Sequence, residues 1–383
     1  MLRADVVVLG AGVVGLACAR ALAACGREVY LVEPEAGVGR GTSSRNSGVI
    51  HAGLYYPRDS WKARLCVAGA RQLYDYCETA GVPYERSGKW VLATAASELS
   101  ALESLATSAR LNGAVVEWTS AAELARQEPA LCAHAALWSP GSGIVSVPDL
   151  LEALLRDARD DGAELVLGQR AVGVRRVADG WEVALRAADG SPRDDERVHA
   201  RAVVNAAGHA APAIARLAGV DLDALCATPR FYRGDYLSVS PSAPRPRCAL
   251  VYPLPQQHGL GVHLTRDLGG SVRAGPDAYA VSEPDTRLSL LSPEQWEHKA
   301  DAFAASLRRF LPGIEAQHLQ PEFAGVRPKL VRADGSSDFL LLGPADAGAG
   351  CVHLLGVESP GLTACLAIAE WVATRLETRT TRS

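Results

Sequence analysis

Residues 5–9, Asp-Val-Val-Val-Leu, form an unbroken apolar run after one charge. Such a run suits a strand buried on both faces. Gly10 to Gly15 then turns the chain, and small apolar residues over 14–24 predict a helix that Gly26 ends. Residues 28–33 predict a second buried strand. Strand, turn, helix and strand in about 30 residues match a βαβ unit. Over 60–80, Trp61, Leu65, Leu73, Tyr76 and Cys77 fall on one helical stripe. Helices are predicted over 97–112 and 120–127. Pro148 suits the first turn of another helix that runs to about residue 161. Strands follow at 164–167, 171–177 and 181–187, with Asp179-Gly180 as a hairpin turn, and at 202–206.

From 226 to 324 the pattern changes. Short alternating strands at 232–239, 249–253, 260–265 and 271–274 are joined by Pro and Gly, and a helix over 293–310 follows. The chain then returns to strands at 339–342 and 352–355 and a helix over 362–376. The fold class expected is α/β with two lobes. A Rossmann-like nucleotide-binding domain is built from separated segments (1–85, 146–225 and 325–383). A largely antiparallel β substrate domain, covered by helices, is inserted into it (86–145 and 226–324).

Composition narrows the function classes. The 383 residues carry a net charge of −4, so no global field draws the chain to nucleic acid. Its nine cysteines form no Cys-x-x-Cys pair, which argues against a disulfide framework and against a metal site. Arg3 before an apolar run looks like a targeting segment, but Asp5 and the ordered glycines assign the run to the fold. No stretch reaches the ~18 apolar residues of a membrane span. The expectation is a cytoplasmic protein, with a peripheral position at the inner face of a membrane left open.

Gly10-Ala11-Gly12-Val13-Val14-Gly15 is a G-x-G-x-x-G motif placed between a strand and a helix. Gly10 permits the turn, Gly12 admits a pyrophosphate to the backbone, and Gly15 lets helix and strand pack closely. The helix start offers free N–H groups to phosphate. Glu33 ends the second strand, where a carboxylate accepts hydrogen bonds from ribose. The motif alone suits NAD or FAD. Two features favour FAD, held without a covalent link. A hydroxyl- and glycine-rich loop follows (Gly41, Thr42, Ser43, Ser44, Arg45, Asn46, Ser47, Gly48), fit to line pyrophosphate and ribityl, and no second motif of this kind sits between a strand and a helix.

Residues 42–56 (TSSRNSGVIHAGLYY) resemble the D-amino-acid-oxidase superfamily of FAD-dependent oxidoreductases. More narrowly the chain resembles the L-2-hydroxyglutarate dehydrogenase/oxidase family. The likeness continues at Lys62-Ala63-Arg64-Leu65-Cys66, Phe231-Tyr232-Arg233-Gly234-Asp235-Tyr236, Tyr252-Pro253-Leu254-Pro255 and Gly261-Val262-His263-Leu264-Thr265. It returns at Ala274-Gly275-Pro276, Gly325-Val326-Arg327-Pro328 and Glu358-Ser359-Pro360-Gly361-Leu362-Thr363. Glu358 departs from the family pattern, and residues 187–195 read as a local hairpin or insertion. The resemblance implies oxidation of a small 2-hydroxy acid by hydride transfer to flavin N5, with L-2-hydroxyglutarate as substrate and 2-oxoglutarate as product. An amino acid or N-methyl amine as donor stays open, as does a non-catalytic flavin-binding redox or interaction protein. The electron acceptor is a quinone, a flavoprotein or oxygen.

Such chemistry needs a base for the hydroxyl proton and a cation for the carboxylate. His51 follows the ribityl loop and is a candidate base or substrate contact; a similar histidine is bonded to the flavin in some relatives. His263 shares one face of its expected strand with Thr265. Arg327 suits bidentate binding of a carboxylate, and Lys329 follows it. Tyr232 and Tyr252 are further substrate contacts. For the cofactor, Gly356, Ser359, Pro360, Gly361, Leu362 and Thr363 open the last helix, where N–H groups face the charge that builds on a reduced flavin. By family analogy Val172 meets adenine through its backbone, and Ala207-Gly208 passes the pyrophosphate.

Overall fold

The computed structural model describes residues 2–191, 195–255 and 261–377. Two large sheets organise the chain. The first has eight strands, with Leu2–Leu9 at its centre. Parallel partners flank that strand on both sides, Val29–Glu33 and Glu196–Asn205. Val6, Val7 and Val8 have no exposed surface, as the unbroken apolar run requires. Helices Val13–Ala24, Trp61–Ala80, Val147–Asp160 and Gly361–Leu376 cover one face, where Leu16, Leu73, Leu154 and Ile368 share a core. Trp181, Val183 and Ile214 pack on the other face.

The helix ends follow the sequence. The Ser60 side chain accepts from the Ala63 amide at the start of Trp61–Ala80, and Gly81 ends that helix at φ 71°. Gln169–Val177 and Gly180–Ala187 pair as the predicted hairpin. A second antiparallel pair joins Gly180–Ala187 to Glu196–Asn205, so the stretch read as a hairpin or insertion is a hairpin connection. Its residues 192–194 lie outside the described residues.

The nine-stranded sheet takes its strands from 89–139 and from 228–331. Thr228–Val239 and Leu319–Val331 run antiparallel along their whole length. Helix Pro293–Arg308 covers this sheet through Ala300, Phe303, Ala304 and Leu307, and a Ser292–Gln295 capping box starts it. Beneath the helix, Lys299 bridges Asp235 (2.5 Å) and Asp277 (2.6 Å), and Arg233 bonds Asp235 at 2.8 Å. Arg233 is therefore committed to the interior of the sheet.

Three expectations change. Lys89–Ala93 and Ala135–Ser139 are strands that the apolar pattern did not resolve. Both are apolar throughout their cores, so alternation could not mark them. The strand expected over 260–265 is Leu264–Arg266. Leu260 lies outside the described residues, and His263 precedes the strand rather than sharing its face with Thr265. In Gln169–Val177 the register shifts between Ala171 and Gly173, so Val172 is the extra residue of a bulge.

No helix among the described residues is long and apolar enough to cross a membrane. All nine cysteines are unpaired. Among the described residues no group of three or more His, Cys, Asp or Glu is placed to hold a metal ion.

Candidate active site

A cavity of about 1220 Å³ runs unbroken from the Gly10–Gly12 turn to Arg327 and Lys329. Ligand sites commonly enclose ~300–1,000 Å³, so one cavity here has room for a dinucleotide and a small substrate together.

The dinucleotide end is built from backbone close approaches. Gly10 has φ +101°, and a Cβ there would lie 2.6 Å from the Ala206 carbonyl oxygen. A Cβ on Gly15 would lie 1.8 Å from the Gly10 carbonyl oxygen. Gly15 thus seats the helix against the turn without itself lining the cavity. Glu33 accepts from the Ala11 amide at 2.7 Å and from the Glu35 amide at 3.0 Å, which fixes its carboxylate at the wall. Ser43 Oγ accepts from the Val13 amide at 2.9 Å and ties the next loop to the helix start. Asn46 donates to the Ser43 carbonyl at 2.7 Å and accepts from the Gly48 amide at 2.9 Å, holding Thr42–Ser44 as a short helical turn.

Thr42, Ser43, Arg45, Asn46, Ser47, Ala207, Gly208, Ser359, Pro360, Gly361 and Leu362 all line the cavity. Ser44 and Gly48 support the loop from outside the lining. Gly356 packs on Leu330. Thr363 bonds the backbone on either side of Ile50: the His51 amide donates to its Oγ1 at 3.0 Å, and its hydroxyl donates to the Val49 carbonyl at 3.3 Å. Val172 stays outside while Gln169, Arg170 and Ala171 line the wall. These residues fit FAD: a Cβ on Gly10 or Gly15 would collide with backbone and break the turn, and a fixed carboxylate stands at the end of the second strand.

The other end gathers two histidines, an arginine and a lysine from distant segments. His51 Nε2 stands 3.3 Å from Ser359 Oγ at the start of the last helix. Its Nδ1 is buried with no partner among the described residues. Burial, then Lys89 and His263, hold the His51 imidazole well below the usual histidine range. His263 stacks on Tyr252 at 3.8 Å between ring centroids and 17° between planes. His263 Nδ1 lies 2.8 Å from the Gly261 carbonyl oxygen. A carbonyl only accepts, so Nδ1 carries the proton and Nε2 keeps its lone pair. Burial brings His263 down to about 3, with Arg327 and Lys89 adding to it and the Gly261 bond opposing. Both rings are therefore neutral near pH 7.

Arg327 lines the cavity and makes no ion pair among the described residues. Lys329, two positions on, stands 3.8 Å from Glu358. Glu358 is already bonded to Lys62 at 2.7 Å, and both are buried. Burial lowers the Lys329 ammonium, with Lys62 and Arg327 adding to the effect and Glu358 opposing it. Tyr252 lines the cavity, whereas Tyr232 and Thr265 do not. Tyr232 lies under the Lys329 ammonium at 5.1 Å, and Thr265 Oγ1 is buried without a partner among the described residues.

Sequence reasoning passed over Tyr55, Tyr56, Lys62, His209, Tyr236 and Glu358 as lining residues. All but His209 lay in the stretches that carried the resemblance. His209 Nε2 lies 2.8 Å from the Val326 carbonyl oxygen and 3.2 Å from Thr42 Oγ1, which links the two ends of the cavity wall.

Known proteins resemble the chain over nearly its whole length. Residues 5–375 match the FAD dependent oxidoreductase family. The chain is 37% identical to a mitochondrial L-2-hydroxyglutarate dehydrogenase of Arabidopsis thaliana, over 97% of this chain and 83% of the relative. It is 28% identical to the L-2-hydroxyglutarate dehydrogenase of Escherichia coli K12, over 98% of this chain and 93% of the relative. Among solved structures, FAD-bound L-alpha-glycerophosphate oxidase from Mycoplasma pneumoniae superposes with a TM-score of 0.86 at 23% identity, covering 98% and 95% of the two chains. Glycine oxidase from Geobacillus kaustophilus gives 0.79 at 24% identity, covering 100% and 96%. With the glycine cradle, the fixed Glu33 and a family match over nearly its whole length, the chain belongs to the FAD dependent oxidoreductase family.

Proposed function

We propose that this FAD-dependent oxidoreductase oxidises L-2-hydroxyglutarate to 2-oxoglutarate. One observation carries the reading: Arg327 and Lys329 point the same way from one strand into the cavity, and neither is fully neutralised. A substrate with two carboxylates answers two such cations; a monocarboxylate answers only one. The L-2-hydroxyglutarate dehydrogenases among the relatives support the same substrate.

Arg327 is the cation whose charge reaches His263, Tyr236 and Tyr252. It therefore takes the carboxylate beside the reacting carbon, and Lys329 takes the distal one. His51 receives the hydroxyl proton on Nε2, the nitrogen beside Ser359. His263 Nε2, fixed by the Gly261 contact and the Tyr252 stack, accepts a hydrogen bond from the substrate and sets its orientation. FAD, when bound, supplies the two-electron acceptor for the C2 hydride. The Gly10–Gly12 turn, Glu33, the 42–47 loop, Ala207-Gly208 and Ser359–Leu362 would hold it.

The distal subsite gives a sharp test. Replacing Lys329 by Met leaves Glu358 paired with Lys62, so no charge is orphaned. The KM for L-2-hydroxyglutarate should rise about 10- to 100-fold, the worth of a hydrogen bond to a charged group. Turnover of L-2-hydroxybutyrate, which lacks the distal carboxylate, should keep its kcat/KM. Equal losses on both substrates would remove Lys329 from the distal role.

A further inference from the structure

Lys89 begins the strand Lys89–Ala93, and all five of its residues are buried. The lysine has no exposed surface, and its Nζ has no hydrogen-bond partner among the described residues. The ammonium lies between two tyrosine rings, 4.7 Å from the centroid of Tyr55 and 4.8 Å from that of Tyr252. Tyr252 carries His263 stacked on it. Tyr55 OH and His51 Nδ1 are buried and unpartnered as well. The cluster of His51, His263, Tyr252 and Tyr55 thus holds three unsatisfied polar groups: Lys89 Nζ, Tyr55 OH and His51 Nδ1.

A buried cation without a carboxylate is costly to the fold. Two cation–π contacts offset only part of that cost. Nothing in the packing of Trp90, Val91, Leu92 and Ala93 calls for a charge at this point. We propose that Lys89 is a positioning residue: its charge, held between Tyr55 and Tyr252, adds to burial in keeping His51 and His263 uncharged, so that His51 can take the hydroxyl proton and His263 can accept a hydrogen bond from the substrate. The proposal rests on the reading of His51 as the proton acceptor.

The surroundings of His51 single out this lysine. Tyr55 and Tyr56, a few residues along the chain, line the same cavity. Cys66 of the Trp61–Ala80 helix reaches the His51 carbonyl at 3.4 Å. Ser359 and Thr363 stand at the start of the last helix, and Glu358 beside them is bound to Lys62. His263 lines the same cavity and its charge would reach His51, as that of Arg327 reaches His263. Lys89 is the cation whose field meets both rings. Burial lowers Lys89 itself to about 7. It is charged below that pH, which is where the imidazoles would otherwise take up protons.

The test uses the FAD-loaded enzyme as wild type, Lys89→Met and Lys89→Arg. kcat/KM for L-2-hydroxyglutarate is measured from about pH 5 to about pH 9, since this profile reports the free enzyme's essential groups. The wild type should hold its kcat/KM down to about pH 5.5, because its base stays unprotonated there. Lys89→Met should gain an acid limb and lose about threefold or more at pH 5.5 relative to pH 8, as His51 moves back toward its ordinary value. Lys89→Arg should keep the wild-type profile. Ring-carbon NMR of labelled histidines in the substrate-free enzyme reads the same shift without turnover: His51 and His263 should protonate at higher pH in Lys89→Met. Unmoved histidine titrations, or an arginine variant as acid-sensitive as the methionine one, would overturn the proposal. Should turnover survive His51→Gln, the base assignment fails, while the NMR titration still decides the role of Lys89. Lys89→Met removes an unpaired buried charge, so its melting temperature at pH 6 should not fall; this separates a folding failure from a null result.

Discussion

Replacing His51 by Gln is expected to lower kcat on L-2-hydroxyglutarate by about 10²- to 10⁴-fold, the usual worth of a general base. KM should change little. Glutamine can still meet Ser359 but cannot accept a proton. The folding cost is small, because His51 holds its place through backbone bonds to Thr363 and Cys66 that the substitution leaves intact. FAD content is therefore the control, and it should match the wild type. The same change at His263 should cost less, because that ring orients the substrate and need not take its proton. Steady-state kinetics of the two variants side by side check the assignment. A larger loss at His263 would transfer the base role to it, since its Nε2 also keeps a lone pair.

Arg327→Met is the second large expectation. A guanidinium gripping a carboxylate inside a cavity that the substrate fills is worth about 2–5 kcal/mol, so kcat/KM should fall roughly 30- to 5,000-fold. Most of the loss should appear in KM, because the grip exists in the ground state as well as in the transition state. Arg327 has no acidic partner among the described residues, so its removal strands no carboxylate and the variant should fold and bind FAD. Arg327→Lys should restore little, because a point charge does not reproduce a planar fork. Substrate saturation curves with these two variants check both points. Unchanged KM would place the substrate carboxylate elsewhere in the cavity.

The nucleotide half of the site was legible because backbone sterics constrain it residue by residue. Gly10 needs a positive φ, and Gly15 has no room for a Cβ. Those demands write a motif that survives in any sequence with this turn. The substrate half was legible only in part. His51, His263, Arg327, Lys329 and Tyr252 meet in one cavity although they are far apart in the chain, and only the resemblance pointed to them together. Alternation misplaced Thr265, because the strand beside His263 is three residues long and begins after it. Val172 escaped the cavity wall through a bulge that no period-two pattern announces. Lys89 stood out least of all. A lysine at the head of an apolar run reads as a residue at the solvent edge of a strand. Its burial depends on Tyr55 and Tyr252, which arrive from other segments. Glu358 was visible as a departure from the family pattern, but its meaning needed Lys62 and Lys329 in place.

On this reading the cavity brings a dicarboxylic L-2-hydroxy acid to the flavin. Anaerobic mixing of the FAD-loaded protein with L-2-hydroxyglutarate, followed by the visible absorbance of the flavin, tests it most directly. Rapid bleaching is expected with the L enantiomer, none with the D enantiomer, and one equivalent of 2-oxoglutarate for each flavin reduced. A yellow protein that stays oxidised with L-2-hydroxyglutarate, yet bleaches with an amino acid or an N-methyl amine, would contradict it.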